Sequence, residues 1–413
     1  MIIDHILCQH AEESSFLWLL RDGAVREPHY NLTDLKDLEE RIDAHLDGLR
    51  VAGDAAWSFC ETGLQQKDLG EIFTAAYTAL DNSKQDWLDQ TLEVVNSTLE
   101  CIRGLVSALG WLPKEKLQGY VVNWLKSDVP LLRQIGLSAC AIQRVDCGGY
   151  LKLGLEDTDS GVRTRALRSV GELRRLDLLP AVIEHLNTEE LSCRFWAAWS
   201  ATLLGDAKGL SALQAIFEME GEFQHRALML GLRAMDKSSA VNWVREHTNR
   251  SGYERTIIEA TGIVGDPITI PWLISLMKMP GYSRLAGESF TMITGVDLAY
   301  EDLDGDQPEG FEAGPTENPE DEDVSMDPDE ELPWPDHQRI SLWWDANQGR
   351  FTAGERYLCG SPISREQCLN VLKNGYQHQR RAAAIELALL NPDEPLFNCS
   401  ATAKHQIQLL GVT

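Results

Sequence analysis

Two tracks of residues recur along the middle of the chain with one period close to 30. A basic residue opens an apolar stretch at positions spaced by 30, 31, 32, 29 and 29: Arg133, Arg163, Arg194, Arg226, Arg255 and Arg284. A second track precedes the first, with steps of 30, 31, 31, 30 and 30: Leu125, Leu155, Leu186, Phe217, His247 and Met277. Because a fixed period of this length is typical of stacked supersecondary units, the pattern predicts two helices per repeat in an all-α solenoid.

The copy from Leu151 to Leu186 shows how one unit is built. Residues 157–161 form a polar turn, and Val162 then opens an apolar face with helical spacing. The Asp and Ser side chains of such a turn accept hydrogen bonds from the first amides of the next helix. Left-handed helix ends are predicted at three glycines that follow apolar stretches: Gly110, Gly205 and Gly265.

The pattern divides the chain into four predicted parts. Residues 1–89 are helical but off period, which suits a helical cap over the first repeat. Residues 90–296 hold the repeat array of about six hairpins, residues 297–336 interrupt it, and residues 337–413 carry C-terminal helices. In that last part, residues 365–372 and 379–390 predict one more hairpin.

The interruption at residues 297–336 is strongly acidic. It contains 17 Asp and Glu residues, no Lys or Arg, and several Pro and Gly residues. This composition is typical of chain that cannot bury enough apolar surface to fold, so we predict a mobile, disordered-type loop.

Three roles are open for this acidic loop. It is a solvated insertion, a docking segment for a basic partner surface with Leu332 and Trp334 as anchors, or a calcium site. The calcium hypothesis rests on the alternate carboxylates Asp302, Asp304 and Asp306. An EF-hand loop needs Gly at its sixth position and Glu at its twelfth, where this chain has Gln307 and Ala313, so we reject a standard EF-hand.

The polar turn at Asp157 followed by Val162-Arg163 resembles HEAT repeats. In those repeats the turn Asp and the early Arg often form a ladder between neighbours, which implies a structural role for Arg163 and its equivalents; the alternative is a basic row that faces a ligand. The resemblance also implies that second helices line a concave, partner-binding side. Burial between repeats is the default for Trp196 and Trp199 there, and either one would be an anchor if it is exposed. The candidate partner-binding residues are Arg163, Arg194, Trp196, Trp199, Arg226 and Trp334.

Charge and cysteine usage limit the partners. A formal net charge of -27 repels nucleic acid on average, since binding of phosphates requires a basic face. The nine cysteines are dispersed without C-x-x-C spacing, which is typical of reduced thiols in the cytoplasm. No signal peptide and no apolar run of bilayer length is found. We therefore expect a cytoplasmic protein that binds neither nucleic acid nor membrane.

The chain carries none of the common short motifs for nucleotide binding, zinc hydrolysis or the hydrolase nucleophile. His5, Cys8 and His10 lack a fourth metal ligand. We therefore expect no catalytic residue, metal or cofactor. The rival hypothesis is a HEAT-like DNA-binding or DNA glycosylase-type enzyme, which rests on a dense basic cluster and is disfavoured by charge: Arg163, Arg165, Arg168, Arg174 and Arg175.

Beyond the repeat itself, three regions resemble an uncharacterised family of bacterial HEAT-repeat proteins often encoded near type VI secretion genes. They are residues 16–48, residues 284–298 ("RLAGESFTMITGVDL"), and the C-terminal "GERYLCGSPIS" and "RRAAAIELALLNPDEPLF". The resemblance implies a non-catalytic scaffold that binds a secreted effector or secretion component, and we favour an effector adaptor or chaperone. The alternative is an immunity protein that binds and neutralises an antibacterial toxin.

Overall fold

The structure, a computed structural model, describes residues 3–314 and 325–412. Apart from short 3-10 turns and one two-stranded hairpin, its regular elements are α-helices, which confirms the predicted all-α class. The elements in chain order are α1 (Asp4–Ala24), α2 (Leu32–Ala52), α3 (Asp54–Leu64), α4 (Leu69–Asp81), α5 (Gln85–Ser97), α6 (Ile102–Trp111), α7 (Lys114–Leu125), α8 (Pro130–Ile142), α9 (Gly149–Leu155), α10 (Ser160–Glu172), α11 (Leu179–Glu184), α12 (Leu191–Leu203), α13 (Ala207–Phe217), α14 (Gln224–Ala234), α15 (Lys237–His247), α16 (Glu254–Val264), α17 (Ile270–Leu276), α18 (Pro280–Thr294), α19 (His337–Asn347), β1 (Tyr357–Leu358), β2 (Ser361–Pro362), α20 (Arg365–Asn374), α21 (Gln377–Leu390) and α22 (Ala403–Leu410).

The two sequence tracks fall on alternate helices. The arginine track lies on α8, α10, α12, α14, α16 and α18, and the apolar track lies at or near the ends of the helical segments that precede them. Asp159 accepts a hydrogen bond from the amide of Val162, as its position in the turn predicts. The prediction of two helices per repeat is therefore confirmed, and α20 with α21 forms the predicted last hairpin.

The glycine predictions are confirmed at two positions out of three. Gly205 and Gly265 have positive φ angles of 87° and 74°. Gly110 lies in the last turn of α6, which ends at Trp111, and its φ is not positive, so the predicted left-handed cap at this position is wrong. A Cβ on Gly110 would lie 2.8 Å from the side chain of Ile142 on α8, so close packing of two helices explains this glycine instead.

Contacts divide the chain into two compact units. The first comprises Met1–Arg26, Tyr30–Leu213 and Asn391–Thr413, and the second comprises Glu27–His29 and Gln214–Leu390. These units follow contacts rather than the repeat pattern, and the predicted boundaries after residues 89, 296 and 336 stay predictions.

In the first unit, the helices α4, α6, α8, α10 and α12 pack on one another in chain order. The N-terminal helix α1 packs on α2 and α4, where the ring of Trp18 stacks on Phe73 with centroids 5.1 Å apart. The C-terminal segment returns to these helices, because Arg21 donates to the carbonyl of Ala401 and Glu39 accepts from the amide of Ala403. A buried Arg21–Glu39 ion pair thus holds the end of the chain against its beginning.

In the second unit, α14, α16 and α18 pack in the same order, with α15 on α16, α17 on α18, and α21 on α14. The β1–β2 hairpin closes two helix ends: the amide of Tyr357 donates to Gly265 after α16, and that of Cys359 donates to Met292 in α18, each at 2.8 Å. The core of this unit includes Phe290 and Trp344.

The ends of the acidic segment are folded. Leu298 and Leu303 belong to the core of the second unit, and the amide of Asp336 donates to the carbonyl of Leu303 at 2.8 Å. The prediction of a disordered loop is therefore wrong for these ends, because scattered leucines give them buried surface that the overall composition hides. Residues 315–324 lie outside the described part of the chain.

Gly265 offers a sharp test of the hairpin contact. A Cβ there would lie 2.4 Å from the backbone oxygen of Tyr357, and the φ of 74° already disfavours a side chain. We expect Gly265→Ala to lower the free energy of unfolding by at least about 2 kcal/mol in thermal or urea denaturation. Gly281→Ala is the control, because Gly281 is helical and its Cβ would meet nothing within 4 Å. Equal stability of the two variants would contradict this account.

Candidate binding cleft

A cleft of about 670 Å³ lies in the second unit, along the second helices of three consecutive repeats. Its walls come from α14, α16, α18 and α21, and residues 326–332 of the acidic segment form one side. This volume lies within the range of sites that hold a small molecule or a few residues of a peptide. Because equivalent helices of a repeat face it, the cleft presents side chains at the repeat spacing.

The arginine track forms a ladder in the first unit. Arg133 donates from Nε and Nη2 to the two carboxylate oxygens of Asp157, at 2.7 and 2.9 Å. Arg163 donates from Nη2 to Glu190 at 3.1 Å and from Nη1 to the carbonyl of Asp157. Each of these carboxylates belongs to the turn that opens the next second helix. The structural interpretation of Arg163 is therefore confirmed at this position.

The acidic segment takes the corresponding place in the second unit. Arg255 donates from Nη1 and Nη2 to the carboxylate of Asp329, at 3.0 and 2.5 Å. Arg284 donates from Nη1 to the carbonyl of Asp329 at 2.9 Å and from Nη2 to the carboxylate of Asp327. Two neighbouring arginines of the track thus share one acidic turn. Each arginine comes from a different repeat, so the turn links α16 to α18.

The turn itself is well formed. The carboxylate of Asp327 accepts from the amide of Asp329 at 3.0 Å, and the amide of Leu332 donates to the carbonyl of Asp329 at 2.9 Å. Burial alone acts to raise the pKa of Asp327, but the Arg284 guanidinium and the Asp329 amide outweigh it and hold that pKa below its usual value. Asp327 is therefore ionised at neutral pH, as an ion pair requires.

An aromatic contact completes this surface. The Arg284 guanidinium lies over the ring of Trp334, 4.4 Å from its centroid, and Phe311 meets the same ring edge to face. Trp334 is half-buried by these contacts. The side chain proposed from the sequence as a partner anchor is thus held by the chain's own arginine.

Two His–Glu pairs face the open part of the cleft. His225 Nδ1 on α14 lies 3.2 Å from Glu259 Oε2 on α16, and His378 Nδ1 on α21 lies 3.5 Å from Glu288 Oε1 on α18. Glu259 and Glu288 each follow a track arginine by four residues, so they lie one helical turn further along adjacent helices. The cleft is therefore lined by polar groups of both signs.

A buried ionic group lies beside the cleft. Arg233 is almost fully buried, its Nε lies 3.4 Å from Glu386 Oε1, and burial lowers its pKa to about 10. Arg356 donates to the same Glu386 oxygen at 2.7 Å. Charges held this way resist displacement, since removing one leaves the others uncompensated. This group fixes the relative position of α14 and α21.

The structure buries both predicted aromatic anchors. Trp196 and Trp199 are each only 8% exposed, and their rings meet edge to face at 5.3 Å. The default expectation of burial is therefore confirmed, and the condition for an anchor role, exposure, is not met. Trp199 packs against Gly171 of α10, so close packing of the two helices covers its ring.

The remaining predicted residues do not form one site. Arg194 donates to the carbonyl of Thr188 at 3.2 Å in the first unit, as Arg163 does to Asp157. Arg226 lies exposed on α14 in the second unit, where Trp334 also lies. A role of the arginines in partner binding stays a prediction.

The basic cluster on α10 and directly after it is largely neutralised by the chain itself. Glu172 accepts hydrogen bonds from Arg165 and Arg168, and Arg175 pairs with Asp146 and Asp177. Arg174 donates to backbone carbonyls. Arginines with these partners are poorly placed to neutralise phosphates, which weakens the DNA-binding alternative.

Sequence reasoning missed the residues that make the cleft: His225, Glu259, Glu288, Asp327, Asp329 and His378. The spacing of Glu259 and Glu288 from the arginine track was a usable signal. The pairing of Arg255 with Asp329 spans 74 residues and has no counterpart in the repeat pattern.

Comparison with protein-family models and with curated proteins gives no significant match for this chain. Within residues 3–314 and 325–412, no helix combines the length and apolar character that crossing a bilayer requires. The same residues contain no cluster of three or more His, Cys, Asp or Glu side chains that suits a metal ion.

Proposed function

We propose that the protein is a non-catalytic, HEAT-like scaffold that binds another protein along the second helices of its repeats. The observation that carries this proposal is the cleft, which equivalent helices of three successive repeats line together. A surface built from repeated units presents contacts at a regular spacing, which suits an extended segment of a partner better than a compact small molecule.

The chemistry of the cleft supports the same function. Its polar side chains are held in pairs such as His225–Glu259 and Arg255–Asp329, and Met229 and Ile263 add apolar surface to the same cleft. Such a mixture of apolar surface and oriented charge is typical of interfaces that recognise a particular polypeptide.

We further propose that the partner is a secreted effector or a component of its secretion apparatus, and that the protein acts as an adaptor or chaperone in the bacterial cytoplasm. Support for this step comes from the resemblance to the bacterial family encoded near type VI secretion genes. An adaptor leaves the activity of its cargo intact, whereas an immunity protein abolishes it.

Site-specific photo-crosslinking in the source organism tests the proposal. A photoreactive amino acid is introduced at His225 or at His378, on two walls of the cleft, and as a control at Leu342, which is 71% exposed on α19 outside the cleft. We expect the same protein to be captured from both cleft positions and not from Leu342. Mass spectrometry identifies it.

Two results would overturn the proposal. One is the absence of any shared cross-linked protein at the two cleft positions. The other is equal capture of that protein at Leu342, which would indicate nonspecific contact. If the captured protein is a toxin whose activity disappears on binding, immunity replaces the adaptor role.

A further inference from the structure

The arginine pair beside the cleft already holds a peptide-like ligand, which is part of the chain itself. Residues 326–332 lie against Arg255 and Arg284 through the carboxylates of Asp327 and Asp329. The next residues add Leu332, which is buried, and Trp334, which lies under Arg284. The internal ligand is therefore an acidic turn with two carboxylates two residues apart, followed by apolar side chains.

This internal ligand leaves the arginine pair incompletely satisfied. Nε of Arg284 is buried and has no hydrogen-bond partner among residues 3–314 and 325–412. The Arg255 side chain is still 37% exposed, although Asp329 caps it. A buried donor without an acceptor costs free energy, so a ligand that supplied one more oxygen would bind this pair better. The adjacent cleft also has room for a longer segment.

We infer that the Arg255–Arg284 surface is a recognition site for an acidic segment of the partner, and that residues 326–332 occupy it as an internal competitor. The inference rests on the proposed function and specifies the partner chemistry: two carboxylates two residues apart, then apolar residues. Bidentate contact with a guanidinium favours carboxylates of this geometry. A partner that displaces residues 326–332 exchanges one set of ion pairs for another, so Arg255 and Arg284 keep carboxylate partners throughout.

The competition has a measurable consequence. An occupant attached to the same chain is present at a high effective concentration, on the order of millimolar for a short connection. A free acidic peptide therefore binds the intact protein weakly, and binds much better once the internal segment is disabled. The apparent affinity equals the intrinsic affinity multiplied by the fraction of molecules in which the site is open.

The probe is a fluorescent peptide of residues 325–336, "SMDPDEELPWPD", added to the full chain and followed by fluorescence anisotropy. The site is opened by the double substitution Asp327→Asn with Asp329→Asn, and also by Asp327→Asn alone, which disturbs the fold less. The control chain carries Glu330→Gln with Glu331→Gln, the same loss of charge at exposed positions of the segment. A second peptide has asparagine in place of Asp327 and Asp329.

We expect the acidic peptide to bind the opened chains at least about tenfold more tightly than the unchanged and control chains. The asparagine peptide should bind at least about tenfold more weakly than the acidic one. Hydrogen exchange should show the amides of residues 325–332 exposed in the opened chains.

Failure to bind either opened chain, with melting curves showing that both are folded, would make the segment purely structural. Equal binding of the two peptides would remove the carboxylates as the recognised groups. Either result overturns this inference and leaves the proposed function untouched, since photo-crosslinking at His225 and His378 tests the cleft without reference to the acidic segment.

Discussion

Glu172→Gln is expected to lower the free energy of unfolding of the first unit by about 3 to 5 kcal/mol at pH 7. Glu172 is buried on α10, accepts from Arg168 Nε at 2.8 Å and also from Arg165, and lies 3.8 Å from Arg144. Neutralising the one acid would leave three guanidiniums with no carboxylate at the centre of the group. Urea denaturation followed by tryptophan fluorescence is a suitable measurement, because the Arg168 guanidinium lies 4.6 Å from the ring centroid of Trp196.

The same substitution has a defined pH dependence. Burial by itself would raise the pKa of Glu172, but Arg165, Arg168 and Arg144 outweigh it and hold the pKa well below the ordinary value of 4.5. The stabilisation is therefore complete above that ordinary value and is lost as the pH falls from it toward the folded value. The difference in stability between wild type and Glu172→Gln should therefore shrink steadily as the pH is lowered below about 4.5.

Glu184→Gln serves as the control for this prediction. Glu184 lies exposed on α11, and its substitution should change stability by less than about 0.5 kcal/mol at any pH. A loss of under about 1 kcal/mol for Glu172→Gln at pH 7 would show that water or other groups compensate the arginines. The three arginines would then not depend on Glu172 for their charge balance.

The sequence predicted the helical hairpins because their signal is local and repeated. The position of Arg163 six residues after Asp157 is visible in the chain itself, and the same spacing recurs in the hydrogen bonds of Arg133 to Ser127 and Arg194 to Thr188. A periodic pattern averages over six copies, so one atypical repeat does not obscure it.

The burial of Trp196 and Trp199 was harder to predict, because it depends on a neighbouring helix. Gly171 lets α12 approach α10 closely, and that approach covers the ring of Trp199. Helical spacing gives the relative direction of two side chains but not which direction faces a neighbour. The expected burial of both rings thus holds, but the neighbour that covers each ring is visible only in the structure.

The acidic segment was the largest error, and its cause is physical. Average composition predicted disorder, yet Leu303 and Leu332 are buried and Asp329 is paired with an arginine 74 residues away. A charge-rich stretch can become ordered where the rest of the fold holds charges of opposite sign in fixed positions. Only the three-dimensional position of the arginine track supplies that information.

The same arginine track thus has two kinds of acidic partner. In the first unit, Arg133 and Arg163 pair with acids in the turn of the following repeat. In the second unit, Arg255 and Arg284 pair with acids from residues 326–332. A segment that is not part of a repeat has replaced a contact that the repeat makes elsewhere. Such a contact can be broken without disrupting a helix, which makes the acidic turn the replaceable member of the ladder.

Arg284→Met tests this replaceable contact and should lower stability by about 2 to 4 kcal/mol. The substitution removes the bonds to Asp327 and to the carbonyl of Asp329 and the ring contact with Trp334. The carboxylate of Asp327, 14% exposed, would lose its cationic partner. We expect the amides of residues 325–332 to exchange hydrogen at least about tenfold faster, while those in the middle of α16 and α18 change little.

Arg194→Met at the equivalent position of α12 is the matched control. Arg194 makes one hydrogen bond to the carbonyl of Thr188, so its loss should cost at most about 1.5 kcal/mol and leave exchange in residues 325–332 unchanged. If Arg284→Met accelerated exchange throughout α16 and α18 as much as in the acidic turn, the turn would be integral to the helical core. Selective loosening of the turn would instead show that it opens as a separate unit, because the helices keep their own backbone hydrogen bonds and apolar contacts when the ion pairs are gone.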